Sequence, residues 1–118
     1  MEANNLKIQG RVVHGKGRGR RIGFPTANLD IDAKIEGGVY GGIVEFEGRR
    51  HKAGLIYFAD KNILEAHILD FSGDLYGKEI KVKIGKKIRE PEEFNSDSEL
   101  ISQIKKDLEI IRLLTLRI

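Results

Sequence analysis

The sequence predicts a mainly β protein, a small antiparallel barrel with one helix at the C-terminus. Three observations carry that reading. From Leu6 to about Ile88 the chain breaks into short runs rich in β-branched residues and punctuated by glycine. Two of the breaks, Glu47-Gly48 and Ser72-Gly73-Asp74, carry turn chemistry suited to hairpin connections. Beyond Asn95 the apolar period changes from strand-like to helical.

Taken in order, Leu6 to Val13, Val39 to Phe46, His51 to Phe58, Leu64 to Phe71 and Glu79 to Ile88 read as strands. Short strands joined by tight turns favour a barrel, because closure removes exposed edges. Ser96-Asp97-Ser98-Glu99 matches a capping box, with Ser96 as N-cap and Glu99 reaching back. Leu100, Ile101, Ile104, Leu108, Ile111 and Leu114 then fall on one helical face, and Lys105, Lys106, Asp107 and Glu109 occupy much of the other. That apolar stripe is expected to lie across the barrel wall or over its open end, as a lid on the core. No internal repeat or low-complexity segment interrupts the pattern.

The 118 residues suit one domain with one core, and a 40% hydrophobic, 33% charged composition is that of a globular chain. No apolar run is long enough to cross a bilayer, and Met1 to Asn5 has neither the basic start nor the apolar stretch of a signal peptide. The chain has no cysteine, which excludes disulfides, thiolate zinc sites and thiol nucleophiles. A cytoplasmic location is expected. Net charge is +3, too modest to identify nucleic acid as the partner. Lys16, Arg18, Arg20 and Arg21 crowd one stretch, and Lys83, Lys86, Lys87 and Arg89 form a second group. Either cluster would attract a polyanion such as a nucleoside triphosphate.

The most informative stretch runs from Val13 to Leu29. Gly15, Gly17 and Gly19 alternate with Lys16 and Arg18, and Gly23 follows Arg20-Arg21-Ile22. Glycines so placed let backbone amides approach an anion closely. The spacing is not that of a Walker A loop, and Arg20 stands where a dinucleotide fingerprint needs its third glycine. On its own the segment reads equally well as a solvated loop. Pro25-Thr26-Ala27-Asn28 adds a fixed backbone and two neutral oxygen donors that would share a face on a strand. Hard oxygens suit magnesium, although local backbone hydrogen bonding explains them as well. Alternation places Glu65, His67, Leu69 and Phe71 on one face that begins polar and ends apolar. At a pocket mouth Glu65 could accept a proton from an attacking hydroxyl; alone, a solvated glutamate and a structural histidine are the plainer readings.

Together these residues resemble the riboflavin kinase family, which is also the C-terminal module of bacterial bifunctional FAD synthetases. The resemblance runs from Ile8 to Arg112 and rests on Gly23-Phe24-Pro25-Thr26-Ala27-Asn28-Leu29, Gly38-Val39-Tyr40, Glu65-Ala66-His67-Ile68-Leu69-Asp70-Phe71 and Asp74-Leu75-Tyr76-Gly77. Arg89-Glu90-Pro91-Glu92-Glu93-Phe94 and Leu100 to Asp107 complete it. It implies a six-stranded antiparallel Greek-key barrel with one C-terminal α-helix, forming a single riboflavin kinase domain over residues 1–118. The implied activity is magnesium-dependent transfer of the terminal phosphate of ATP to riboflavin, giving FMN and ADP. By the same resemblance, Gly15, Lys16, Gly17, Arg18, Gly19, Arg21, Gly23, Pro25, Thr26 and Asn28 bind the nucleotide, and Thr26 and Asn28 also contact Mg2+. Glu65 corresponds to the catalytic base, and Arg89 and Phe94 to the loop that closes over the flavin.

Riboflavin and ATP are therefore the expected partners of a monomer, with no membrane and no nucleic acid. The adenylyltransferase module has no counterpart, so FAD synthesis is not expected. One departure is that the family's longer loop before the glutamate strand is here only Gly54 to Asn62. Tyr57 and Phe58 would supply replacement aromatic surface there, or pack in the core. The shortening motivates an alternative, a flavin- or nucleotide-binding barrel with weak or no turnover. A single-strand nucleic-acid binder of OB type is a further alternative, disfavoured by the absence of aromatics between Arg18 and Arg21.

Overall fold

The computed structural model describes residues 6–114; Met1 to Asn5, read above as lacking signal-peptide character, lie outside them. Six strands form one antiparallel sheet: β1 (Leu6–Arg11), β2 (Ala27–Asp30), β3 (Gly38–Phe46), β4 (Arg49–Phe58), β5 (Ile63–Ile68) and β6 (Glu79–Arg89). A single helical turn, α1 (Arg18–Arg21), precedes β2, and α2 (Asp97–Leu113) ends the described chain.

The strand order is β1-β6-β3-β4-β5-β2. Strands β3, β4 and β5 form a meander and β6 returns beside β3, which is the Greek-key order. The sheet curls until its two edges meet: beyond β1, the Val13 amide donates to the Asn28 carbonyl at 2.8 Å, bridging to β2. The expected barrel is thus present, closed on that side by this bridge.

Alternation fills the interior. Ala53, Leu55 and Tyr57 of β4 point inward beside Leu64 and Ala66 of β5 and Ile80, Val82 and Ile84 of β6. The β3–β4 turn is Glu47-Gly48 with φ of 50° and 76°, the doubly positive geometry of a two-residue hairpin. Ser72-Gly73-Asp74 is different. It lies in the connection from β5 to β6, and β6 pairs with β1 and β3 rather than with β5. The expected hairpin there is a crossover loop.

Strand β5 also ends earlier than alternation predicts. It stops at Ile68; Asp70 takes φ 57°, Leu69 is buried, and Phe71 turns inward to meet Phe46 edge-on at 5.0 Å. Only Glu65 and His67 remain on the outer face, so the polar-to-apolar face does not continue to Phe71.

Helix α2 starts as its sequence requires. The Ser96 hydroxyl accepts from the Glu99 amide at 3.2 Å, and the Glu99 carboxylate reaches back to the Asn95 amide at 3.3 Å, one residue before the cap. The helix lies across the outer wall rather than over an open end. Gly41 and Gly54 are register partners on β3 and β4, and against this flat spot sit Ile111, fully buried, and Leu108. Toward its N-terminus the helix stands away from the wall, so Leu100 and Ile104 face a cavity instead.

Candidate active site

The glycine-rich segment is a built structure. Gly17 caps α1 in the left-handed region at φ 76°. The Gly19 carbonyl accepts from the Phe24 amide at 2.7 Å, folding the chain back. Gly15 lies against the side chain of Asn28: a Cβ there would fall 2.6 Å from its amide atoms. A larger residue at 15 would displace Asn28, which is why the close approach needs glycine.

Two cavities adjoin the glycine segment. The first, of about 250 Å³, lies under the glycine segment, with Gly15, Lys16, Gly17 and Arg20 on one side and Pro25, Thr26 and Asn28 on its floor. At its rim His14 stacks on Tyr76, ring centroids 3.6 Å apart and planes 10° from parallel. The second, of about 420 Å³, lies between the wall and α2. Phe24, Ile56, Phe58, Phe94 and Ile104 make it largely apolar, with Glu65 as an acid within it.

Thr26 and His67 line both cavities, and no other described residue does. The Thr26 hydroxyl donates to Glu65 Oε1 at 3.2 Å, and Asn28 Nδ2 approaches the Thr26 carbonyl and hydroxyl at 3.4 and 3.5 Å. Asn28 and Glu65 are themselves register partners on β2 and β5. Burial raises the Glu65 pKa above the ordinary carboxylate value, against the lowering effects of the Thr26 hydrogen bond and the Lys61 charge.

The remaining predicted residues divide. Arg18 and Gly19 line the second cavity rather than the first, and Gly23 and Arg21 line neither. Gly23 supplies a turn at φ 95°. Arg18 and Arg21 both reach Asp97 at the start of α2, at 3.4 and 3.2 Å, tying the glycine segment to the helix. Arg89 and Phe94 both line the second cavity. The Arg89 guanidinium is engaged: Nε lies 3.1 Å from both carboxylate oxygens of buried Asp107, Nη2 lies 3.0 Å from one of them, and Nη1 donates to the Glu90 carbonyl.

Two members of the second basic group are paired with acids. Besides Arg89, Lys87 donates to Glu36 at 3.0 Å and Glu90 at 2.8 Å. Tyr57 belongs to the core, its hydroxyl placed between Asn62 and the Ala33 amide, while Phe58 faces the second cavity. Sequence reasoning missed His14 and Tyr76 as site residues. Each looks ordinary alone, and only the fold stacks them.

The candidate donors, the Thr26 hydroxyl and Asn28 amide oxygen on the floor of the first cavity and the Glu65 carboxylate beside them in the second, are all hard oxygens. No group of three or more His, Cys, Asp or Glu side chains among the described residues could hold a metal alone. Such a set fits magnesium in company with phosphate oxygens and water.

The riboflavin kinase family model matches residues 3–115. The RNA-binding riboflavin kinase RibR of Bacillus subtilis is 41% identical over 88% of this chain and 49% of its own. Among solved structures, the macrolide-efflux protein from Streptococcus pneumoniae superposes with a TM-score of 0.80 at 32% identity, covering 94% of this chain and 38% of that one. Riboflavin kinase from Trypanosoma brucei superposes with a TM-score of 0.69 at 25% identity, covering 95% and 79%. The chain spans about half the length, or less, of the curated relatives it matches, bifunctional riboflavin kinase/FMN adenylyltransferases among them. The family match extends over both cavities and the wall between them, and it shows that the chain belongs to the riboflavin kinase family.

Proposed function

We propose that the protein transfers the terminal phosphate of ATP to the ribityl 5′-hydroxyl of riboflavin, giving FMN and ADP. The observation that carries this is the pair of cavities, one basic and glycine-lined, one apolar, meeting at Thr26 and His67 beside Glu65. Phosphoryl transfer asks for two substrates held in line with charge neutralised between them, and little covalent work from the protein.

In this reading the triphosphate lies under Gly15 to Gly19, with Lys16 and Arg20 offsetting its charge and the adenine against the His14–Tyr76 stack. The flavin ring system enters the apolar cavity beside Phe58 and Phe94. Thr26 and Asn28 would hold Mg2+, which when bound neutralises charge on the phosphates. Glu65 orients the ribityl hydroxyl. The hydroxyl oxygen forms the new bond to the γ-phosphorus, and its proton passes to the Glu65 carboxylate. The bond from the γ-phosphorus to the β,γ-bridging oxygen breaks, and its electron pair leaves with ADP.

Both cavities are lined by residues of a single chain, which supports a monomer acting as a single kinase domain. Dependence on cellular ATP favours the cytoplasm as its location. Among the described residues no helix is long and apolar enough to cross a membrane.

The test is riboflavin plus Mg-ATP with the protein, following FMN by chromatography beside a Glu65→Gln control. FMN well above the control supports the kinase. Riboflavin binding without FMN would replace it with a flavin-binding barrel.

A further inference from the structure

We propose that the outer face of β1, β6, β3 and β4 is a docking surface for the phosphate backbone of double-stranded nucleic acid. The surface is independent of the kinase reading. The hollow at its centre shares no lining residue with either cavity of the candidate active site.

Pairing register assembles the face from four segments of sequence. Lys7 stands opposite Lys83, Lys83 opposite Ile43, and Ile43 opposite Lys52, so one lateral row carries three cations. Two residues along, the next row runs Gln9, Lys81, Glu45 and Arg50, and Arg11 follows opposite Glu79. Alternation turns these rows outward, because Ile8, Val82, Val44 and Ala53, one residue away on each strand, pack in the core. The face holds six cations and two acids. That excess of four is larger than the +3 of the whole chain, so the modest net charge conceals one strongly basic side.

Both acids are taken up by arginine, Glu45 by Arg50 at 3.4 Å and Glu79 by Arg11 at 3.6 Å. Lys52 donates to the Arg112 carbonyl at 2.7 Å, a neutral partner. Lys7 and Lys81 have no acid partner among the described residues. Lys7 and Lys83, directly opposed, repel each other, a cost that a bound anion removes. Lysine on an edge strand guards against sheet-to-sheet association, which accounts for Lys7 on β1. It does not account for Lys81 and Lys83 on β6 or Lys52 on β4, since both strands have neighbours on each side. Lys7, Arg50, Lys81 and Lys83 border a hollow of about 340 Å³, with Glu45 as its acid.

The dimensions and chemistry of the face select the occupant. With about 4.8 Å between strands, the first row spans roughly 14 Å. A lone phosphate would use one or two of these cations. A duplex carries one negative charge per about 1.7 Å of axis and engages the row along its length. None of the outward residues in these rows is aromatic, so the face lacks the stacking platform that single strands use, whereas a duplex keeps its bases stacked inside. Nor is an apolar group free to enter a lipid surface, Ile43 being only 6% exposed. Binding through the backbone alone is independent of sequence and falls steeply with salt.

The test is fluorescence anisotropy of a labelled DNA duplex of about 20 base pairs, titrated with the whole protein across a salt series. Wild type is expected to bind with a Kd on the order of 10⁻⁵ M at about 50 mM salt, whatever the duplex sequence. The triple variant Lys7→Gln, Lys81→Gln, Lys83→Gln should bind at least about tenfold more weakly, with the slope of log K against log salt reduced by about three. Lys16→Gln with Arg20→Gln, which removes the cations lining the first cavity, should leave duplex affinity unchanged. Should the triple variant fail to fold, Lys81→Glu alone, at an exposed position, is expected to weaken binding in the same direction. Wild type that does not bind the duplex, binding that ignores salt, or a triple variant as tight as wild type would overturn the proposal. So would a loss confined to the Lys16→Gln, Arg20→Gln protein, which would move the duplex to the first cavity. Phosphatidylserine vesicles titrated alongside give the remaining arm: capture that depends on the three lysines, without duplex binding, would replace nucleic acid by an anionic membrane.

Discussion

The hydroxyl of Thr26 donates to the carboxylate of Glu65 at 3.2 Å, across the boundary between the two cavities. One of these residues stands on the candidate nucleotide floor and the other inside the candidate flavin cavity. The orientation of the Glu65 carboxylate is therefore set by a residue that also lines the first cavity. If a nucleotide and its magnesium draw on the Thr26 oxygen, the carboxylate oxygen it holds becomes available to the ribityl hydroxyl.

Replacing Glu65 by Gln keeps the size of the side chain and removes its ability to take a proton. Turnover should fall about 10²- to 10⁴-fold while Mg-ATP affinity stays within a few fold. Steady-state FMN formation and nucleotide titration check both halves. Equal activity in the variant would take Glu65 out of the mechanism.

The same substitution should stabilise the protein. Burial raises the folded-state pKa of Glu65 above its unfolded value, so the folded state binds the proton more tightly. The stability linked to this group is present below the unfolded pKa and is lost as pH rises through the folded one. At pH 7 the wild type carries the cost of a half-buried carboxylate and Glu65→Gln does not. Thermal melts at pH 7 should place the variant higher, and the gap should close toward pH 4. Wild-type activity runs the other way, falling on the acid side at a pH above the usual carboxylate value of 4.5. A gap independent of pH would contradict the burial argument.

Much of this architecture was legible from sequence because it follows from periodicity. β3 and β4 alternate cleanly around a Glu-Gly turn, and the Ser96 cap with its apolar stripe announces α2. What was not legible depends on pairing between distant segments. β2 is four residues long and owes its existence to β5 on one side and the Val13 bridge on the other. α1 is a single turn with a glycine inside it, too short to stand alone, and it is held by Gly17 and by the return of Phe24 to Gly19. Asp70 at positive φ ends β5 where alternation would continue it. The candidate site was half legible. Thr26, Asn28 and Glu65, each singled out from sequence, lie together, whereas the engagement of Arg89 with a buried acid in α2 cannot be read from either residue alone.

Gly15→Ala tests the packing of the glycine segment on the site floor. The added methyl would overlap the Asn28 amide, and Asn28 is 9% exposed with little room to yield. Either the segment lifts or Asn28 turns, and both disturb the nucleotide cavity. We expect Mg-ATP affinity to fall at least tenfold with a stability loss of about 1–3 kcal/mol. Riboflavin affinity should hardly change. Isothermal titration with each ligand distinguishes this from general unfolding, and unaltered nucleotide binding would mean the contact is slack.

Arg89 and Asp107 make the last case, because their pairing changes what Arg89 is expected to do. Their side chains are only 19% and 6% exposed, and Gln103 adds a hydrogen bond to the carboxylate at 2.9 Å. The pair joins the end of β6 to the middle of α2 and fixes the start of the segment that brings Phe94 to the second cavity. Arg89 thus anchors the wall of the second cavity, with its nitrogens occupied by protein. Breaking a buried pair leaves an uncompensated charge, whereas replacing both members with apolar residues is often neutral. Arg89→Met should therefore cost about 3 kcal/mol and weaken riboflavin binding through the released wall. Adding Asp107→Leu to it should recover most of the stability, read as the melting temperature. If flavin affinity returns with stability, measured by fluorescence quenching, Arg89 is an anchor. Recovered stability without recovered affinity would instead make Arg89 a direct contact of the flavin.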